Sequence, residues 1–315
     1  MLPAWFPPLP AVAHRTRDVL RVTGRDTVAY LQGQLSQDIA GLAVGDSAWS
    51  FVLQPQGKVD AWVRVHRAGE AEVALDVDCG AGRELLARLK RFMLRTECDL
   101  VLDEGVPTVS IRGAMVVAGL PCRWPGIDGC DLIGADALPE DGPELTGLDD
   151  EGFEVLRIAS GVPAMGRELT EATIPAEVGQ WVIDASVSFT KGCFTGQELV
   201  ARIDSRGGNV PRRLTGFVAA GSPPPPGAEL LVAGAAAGTV TSCARSPDGT
   251  VVGLASVKRS ITVPGPAAIG EIGVELRPPT RLRASADRST RHARRRCGFA
   301  RNKRVAGSPR HRLGP

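Results

Sequence analysis

Between Arg213 and Leu276 the chain breaks into short strand-like runs, Arg213–Ala219, Glu229–Val232, Thr239–Ala244, Val251–Val257 and Glu271–Leu276, separated by turns. Regularly spaced short strands with glycine and proline between them point to a small antiparallel barrel. Ser222 to Gly227 (SPPPPG) is a stiff connector within it. Gly207-Gly208 breaks the pattern that precedes the strands and sets a boundary near 210. The sequence therefore divides into a region over 1–209, a barrel over 210–280 and a remainder over 281–315, with no internal repeat.

Charge separates the remainder from the rest. Residues 281–315 hold eleven Arg and one Lys against Asp287, a net +11, whereas the whole chain is +2, which leaves −9 on residues 1–280. An acidic body argues against general nucleic-acid binding, so any such role falls to the basic tail. That tail has few apolar residues and no period, and is expected to be disordered. The seven cysteines, Cys79, Cys98, Cys122, Cys130, Cys193, Cys243 and Cys297, are odd in number and contain no C-x-x-C pair. This argues against a zinc site and against a disulfide scaffold, and points to a reducing, cytoplasmic setting. Met1 to Pro10 is short and proline-rich rather than a signal peptide, and no apolar stretch approaches a membrane span.

Residues 1–209 mix helix and strand signals. Arg15–Val22 reads as a strand, and Asp26 caps a helix carrying Val28, Leu31, Leu35 and Ile39 on one face, stopped by Gly41. Trp49–Leu53 and Val59–Val65 form a hairpin across Gln54-Pro55-Gln56-Gly57-Lys58, followed by a strand at Glu72–Val77. Arg83–Leu94 is an amphipathic helix with Leu85, Leu86, Leu89, Phe92 and Met93 inward and Arg83, Arg88, Lys90 and Arg91 on its solvated side. Phe153–Ala159 is a short strand or helix, and Gly161–Gln180 an ordered loop.

The run Lys191-Gly192-Cys193-Phe194-Thr195-Gly196-Gln197-Glu198 concentrates the chemistry. Thr195-x-x-Glu198 has the form of a capping box, with Phe194 and Leu199 spaced as a hydrophobic staple. Cys193 would then lie just ahead of a helix N-terminus, where the helix dipole and the Lys191 ammonium both favour a thiolate. A lone cysteine is also commonly a buried small hydrophobe, and the flanking residues can serve capping alone.

This run resembles the signature of the YgfZ-type folate-binding proteins, relatives of the glycine-cleavage T-protein that act in iron–sulfur protein maintenance. Tyr30 to Asp38 (YLQGQLSQD), Gln56-Gly57-Lys58, Leu89-Lys90-Arg91-Phe92, Gly161-Val162-Pro163 and Ile174-Pro175-Ala176-Glu177 extend the resemblance over roughly residues 15–260. It implies an α+β fold: a T-protein-like folate-binding region of two intertwined lobes with a C-terminal antiparallel β-barrel, and tetrahydrofolate in a central opening. The implied function is that of a tetrahydrofolate-binding accessory protein in assembly or repair of iron–sulfur proteins. Folate and iron–sulfur client or assembly proteins are the implied partners, and no membrane is.

On this resemblance Cys193 and Lys191 form the reactive pair. Glu177 is the carboxylate that takes the pterin's paired N–H donors. Gln197 holds the turn on the cofactor side, and Arg202 (or Arg95) supplies a cationic lip for the folate tail. T-proteins carry two aspartates in the hairpin. Here Gln56-Gly57-Lys58-Val59-Asp60-Ala61 retains one, Asp60, the candidate polar group if the protein is instead a folate-dependent aminomethyl or one-carbon transferase. The resemblance does not extend to the basic tail.

Overall fold

A computed structural model describes residues 3–138 and 143–279. The basic segment 281–315, and with it Cys297, lies outside the described residues.

The first region is organised by β1 (Ala11–Thr23), which pairs antiparallel with β4 (Glu72–Asp78) on one side and β5 (Asp99–Arg112) on the other. β2 (Ser47–Leu53), β3 (Val59–Gly69), β6 (Leu120–Pro121) and β7 (Gly129–Ile133) extend the sheet to the order β2-β3-β4-β1-β5-β7-β6, and β8 (Thr146–Gly147) adds a short parallel pairing to β1. A bulge interrupts the β1–β5 register between Arg17 and Val19. Asp18, the residue at the bulge, is buried and accepts the backbone N–H groups of Gly80, Gly82 and Gly105. Burial opposes the charge of Asp18, but these donors outweigh it and lower its carboxyl from the usual range. One carboxylate thus joins the bulge to the turn that launches α2 (Gly82–Arg91).

Helices cover both faces of this sheet. α1 (Thr27–Gln34) and α2 bury Tyr30, Leu31, Leu85 and Leu89 with Leu20, Val63, Leu75 and Val77. On the other face α3 (Asp150–Ala159), α4 (Gln180–Ser186) and α5 (Gln197–Ser205) pack Phe153, Leu156, Val182 and Val200 with Phe51, Val59 and Trp62. Full burial of a Leu or Phe side chain is worth about 1.5–3 kcal/mol, so this two-faced core fixes the sheet register.

The remaining strands, β9 (Arg212–Ala219), β10 (Glu229–Val232), β11 (Ala235–Arg245), β12 (Val251–Lys258), β13 (Gly265–Ile269) and β14 (Ile272–Arg277), close as a barrel in the order β10-β11-β12-β9-β14-β13. β13 is the strand that pattern alone does not show. Its sequence GPAAI is small and proline-bearing, and pairing with β10 and β14 makes it a strand. α3 docks on the barrel through Val155 and Ile158 against Ala244, Val252 and Leu254. At the same seam the buried Arg157 binds Glu168 at 3.0 Å and Ser242 at 2.8 Å.

Three local expectations are corrected. The first helix ends at Gln34 rather than running to Ile39; Leu35 is already extended, at φ −101° and ψ 148°. Arg88 is buried rather than solvated, because Asp60, Gln34 and the Leu53 carbonyl all accept from its guanidinium. The helix after the signature begins one residue later than Thr195 suggests: Gly196, at φ 81°, is the N-cap, with no side-chain cap bond.

Candidate functional site

A cleft of about 340 Å³ opens where β1, β3, β5, α3 and the loop after α3 meet. Its walls are aromatic. Trp49 stacks on Trp62 with centroids 4.2 Å apart and planes at 17°, and Trp124 meets Phe153 edge-on at 5.5 Å. The Arg112 guanidinium lies 4.4 Å from the Trp124 centroid, a cation–π contact.

Its floor is a chain of buried ion pairs. Arg17 binds Asp76 at 2.9 Å and also Asp78; Arg64 joins Asp76 and Asp131, each at 2.8 Å; Arg112 reaches Asp131 at 3.0 Å. Burial by itself would raise the Asp131 carboxyl, but the Arg112 and Arg64 charges prevail and hold it well below the usual carboxylate range. Burial pushes the Cys122 thiol in this cleft up to about 12, so it is neutral and unreactive at pH 7. Most of these acids are closed off by their partners. Asp78 is the open one: its side chain is 35% exposed against 4% for Asp76 and 7% for Asp131. One Asp78 oxygen faces Arg17 and the other accepts the Met165 N–H at 2.9 Å, with lone pairs to spare. Glu154 also lines the cleft, between Arg157 at 2.9 Å and Arg167 at 3.1 Å. A flat heteroaromatic ring with adjacent N–H donors fits this set: apolar faces for its plane and carboxylates for its edge.

The signature turn lies elsewhere. The hairpin turn 54–58 and the N-terminus of α5 meet glycine to glycine. A Cβ on Gly196 would come 2.5 Å from the Gln54 carbonyl oxygen, and one on Gly57 would come 2.5 Å from the Leu199 Cβ. Only glycine permits this approach, and Gly196 also needs its positive φ. Gln197 accepts the Phe194 N–H through Oε1 at 3.2 Å, a backward reach of the kind expected of Glu198. Cys193 is exposed and lines neither this cleft nor the one described below. Lys191 turns its ammonium onto the carbonyl oxygens of Gln32, Leu35 and Gln37, at 2.7, 2.7 and 2.8 Å.

No protein-family model matches the chain. An uncharacterized protein of Haemophilus influenzae is 29% identical over 193 residues, covering 61% of this chain and 67% of that protein. The tRNA-modifying protein YgfZ of Edwardsiella ictaluri is 28% identical over 231 residues, covering 64% and 69%. A mitochondrial iron–sulfur cluster assembly factor IBA57 homolog of Mycosarcoma maydis is 29% identical over 238 residues, covering 66% of this chain and 57% of that protein. The glycine cleavage system aminomethyltransferase T of Bartonella henselae superposes with a TM-score of 0.67 at 20% identity, over 87% of this chain and 88% of that one. The chain is similar in sequence to YgfZ and IBA57 proteins and has the T-protein fold.

The structure distributes the six expected site residues over four places. Cys193, Lys191 and Gln197 share the signature turn. Arg202 is exposed on α5 beyond it. Glu177 lines a second cleft, of about 660 Å³, between the loop 167–178 and the barrel, with Lys58 and Arg212. There it is half-buried and accepts the Ile174 N–H of its own turn at 3.1 Å. Burial raises its carboxyl, against the pull of that N–H, Arg212 and Lys58. Asp60 is ion-paired with Arg88 at 2.7 Å beneath α2. The cleft residues Trp49, Asp78, Arg112, Trp124 and Glu154 carry no motif. Asp78 and Glu154 are about 75 residues apart in sequence, and only the fold brings them together.

Among the described residues no group of three His, Cys, Asp or Glu is placed to hold a metal ion, and no helix is long and apolar enough to cross a membrane.

Proposed function

We propose that this protein binds a reduced folate in the 340 Å³ cleft and works as an accessory factor for iron–sulfur proteins, with Cys193 as the thiol that meets its partner. The observation that carries the reading is the cleft itself: aromatic walls and an incompletely paired carboxylate, Asp78, on the T-protein fold. The names of the YgfZ and IBA57 relatives support the iron–sulfur part.

A reduced folate supplies, when bound, a one-carbon carrier with a redox-active ring. The chain's own residues do the rest. Asp78 accepts from the ring's N–H edge, Trp49 and Trp124 exclude water from its faces, and the Arg–Asp chain beneath holds Asp78 and Arg112 in place. Cys193 offers one sulfur, so a cluster that it touches draws its other ligands from the partner.

Tetrahydrofolate titration followed by tryptophan fluorescence tests the first half, since Trp49, Trp62 and Trp124 are at the cleft. Saturable quenching that Asp78→Ala weakens tenfold or more supports it, as the loss of a charge-assisted bond is worth about 1.5–3 kcal/mol. No quenching at millimolar ligand refutes it. Rescue of a [4Fe–4S] enzyme in cells lacking the protein tests the second half: wild type restores activity and Cys193→Ser does not.

The transferase reading is weaker on this geometry. Asp60, its candidate group, has one carboxylate oxygen on the buried Arg88 and a side chain only 19% exposed.

A further inference from the structure

The Lys191 side chain reaches away from the thiol two residues on, and what it reaches is the broken end of a helix. The last carbonyls of any helix lack intrahelical partners, and at α1 the chain leaves helical geometry at Leu35. An ammonium has three N–H donors in a tripod, and here each of three carbonyl oxygens, from Gln32, Leu35 and Gln37, stands within 2.8 Å. A cation at a helix C-terminus also meets the negative end of the dipole. Burial pushes the Lys191 amine down to about 8, still ammonium at neutral pH and able to fill all three acceptors.

The same stretch of chain is stitched on either side of the lysine. Ser188 donates its N–H to the Ser36 carbonyl at 3.0 Å, and Thr195 donates to the Gly33 carbonyl at 3.1 Å. Phe194 packs against the core, with its ring centroid 5.3 Å from the Lys191 ammonium. Between Lys191 and Phe194 the chain exposes Gly192 and Cys193, as it does Phe189 and Thr190 just before the lysine. The turn is a rigid bracket with the thiol at its apex.

We propose that Lys191 is a positioning residue: its ammonium plugs the C-terminal end of α1 and thereby fixes where Cys193 is presented, rather than pairing with the thiolate. The proposal rests on the reading that Cys193 meets a partner only for its purpose; the geometry and its test stand without it. With its three donors on these carbonyls, the Lys191 ammonium has none left to hydrogen-bond the thiolate.

The test is site-resolved alkylation of Cys193 by iodoacetamide, read by peptide mass spectrometry from pH 6 to 10, on the full-length wild type and Lys191→Ala. Hydrogen exchange of segments 33–38 and 188–195 is measured on the same samples. The expected results are a Cys193 pH midpoint within about 0.3 unit of wild type, and at least tenfold faster exchange in both segments. Propylammonium, which can refill the carbonyl tripod, should slow that exchange again, and propanol should not. An ammonium acting on the thiolate would move the midpoint up by about one unit or more. That shift, or exchange unchanged by the substitution, overturns the proposal. Should Lys191→Ala not fold, Lys191→Met keeps the packed stem and gives the same pH readout. Tetrahydrofolate titration of these proteins reports separately on the cleft, so failure there counts against the proposed function and not against the positioning role.

Discussion

The central cleft and the thiol turn are built on opposite principles. In the cleft floor each of these charges is tied to another: Arg17, Arg64 and Arg112 alternate with Asp78, Asp76 and Asp131 between walls of aromatic rings. In the turn a single ammonium is tied to backbone and a single sulfur is left with the solvent. The first arrangement makes a preorganised concave site, where buried polar groups are costly unless fully paired. The second holds a short loop stiff so that one atom can be offered outward. On the proposed function, binding and presentation are separate tasks on separate surfaces, and perturbing one should leave the other largely intact.

The largest expected effect is in the cleft floor. Asp131→Ala removes the carboxylate shared by Arg64 and Arg112, leaving buried Arg112 with no acidic partner and Arg64 with Asp76 alone, at a cost of about 3–5 kcal/mol in urea denaturation. The same residue sets an acid limit. Its folded pKa is depressed, so its contribution is fully present above its unfolded value of about 3.9 and is lost as pH falls through the acid range toward the folded value. Asp131→Asn should flatten that part of the stability–pH profile. A profile as steep as that of wild type would show that the carboxylate is not held as the geometry requires.

Next comes the joint between hairpin and turn. Gly196→Ala combines a left-handed backbone with a Cβ driven into the Gln54 carbonyl, and should cost about 2–4 kcal/mol. Thermal unfolding measures it, and a neutral result would mean that the hairpin and α5 can separate freely. Trp124→Ala should weaken tetrahydrofolate about two- to tenfold through the loss of a ring contact worth about 0.5–1.5 kcal/mol, with Cys193 alkylation unchanged. Parallel losses in both assays would break the separation of the two surfaces. The smallest effect belongs to Cys193→Ser: stability within about 0.5 kcal/mol of wild type and unaltered folate affinity, since the side chain is exposed.

How much of this was legible in the sequence differs between the same two regions. The turn announces itself because its motif residues are contiguous: lysine, thiol, glycine and glutamine fall within eight residues. Its internal wiring was not legible. Thr195 and Glu198 satisfy a capping pattern, yet Gly196 caps because only glycine fits between Leu53, Gln54 and Gly57, a fact about a strand turn 140 residues earlier. Arg88 looked solvated because it borders the apolar stripe of α2, and a periodicity rule has no knowledge that Asp60 lies beneath.

By itself the sequence determined the alternation of helix and strand, the barrel texture after Gly208, the acidic body and the thiol-bearing signature. These follow from local propensity, periodicity and composition, which neighbouring residues express together. Only the tertiary structure decided that Lys191 serves a helix end, that Glu177 and Asp60 are engaged outside the aromatic cleft, and that Asp78 is the open carboxylate within it. Hydrogen-bond partners and buried charges are pairwise matters between distant segments. A one-dimensional pattern carries each partner but not the distance between them.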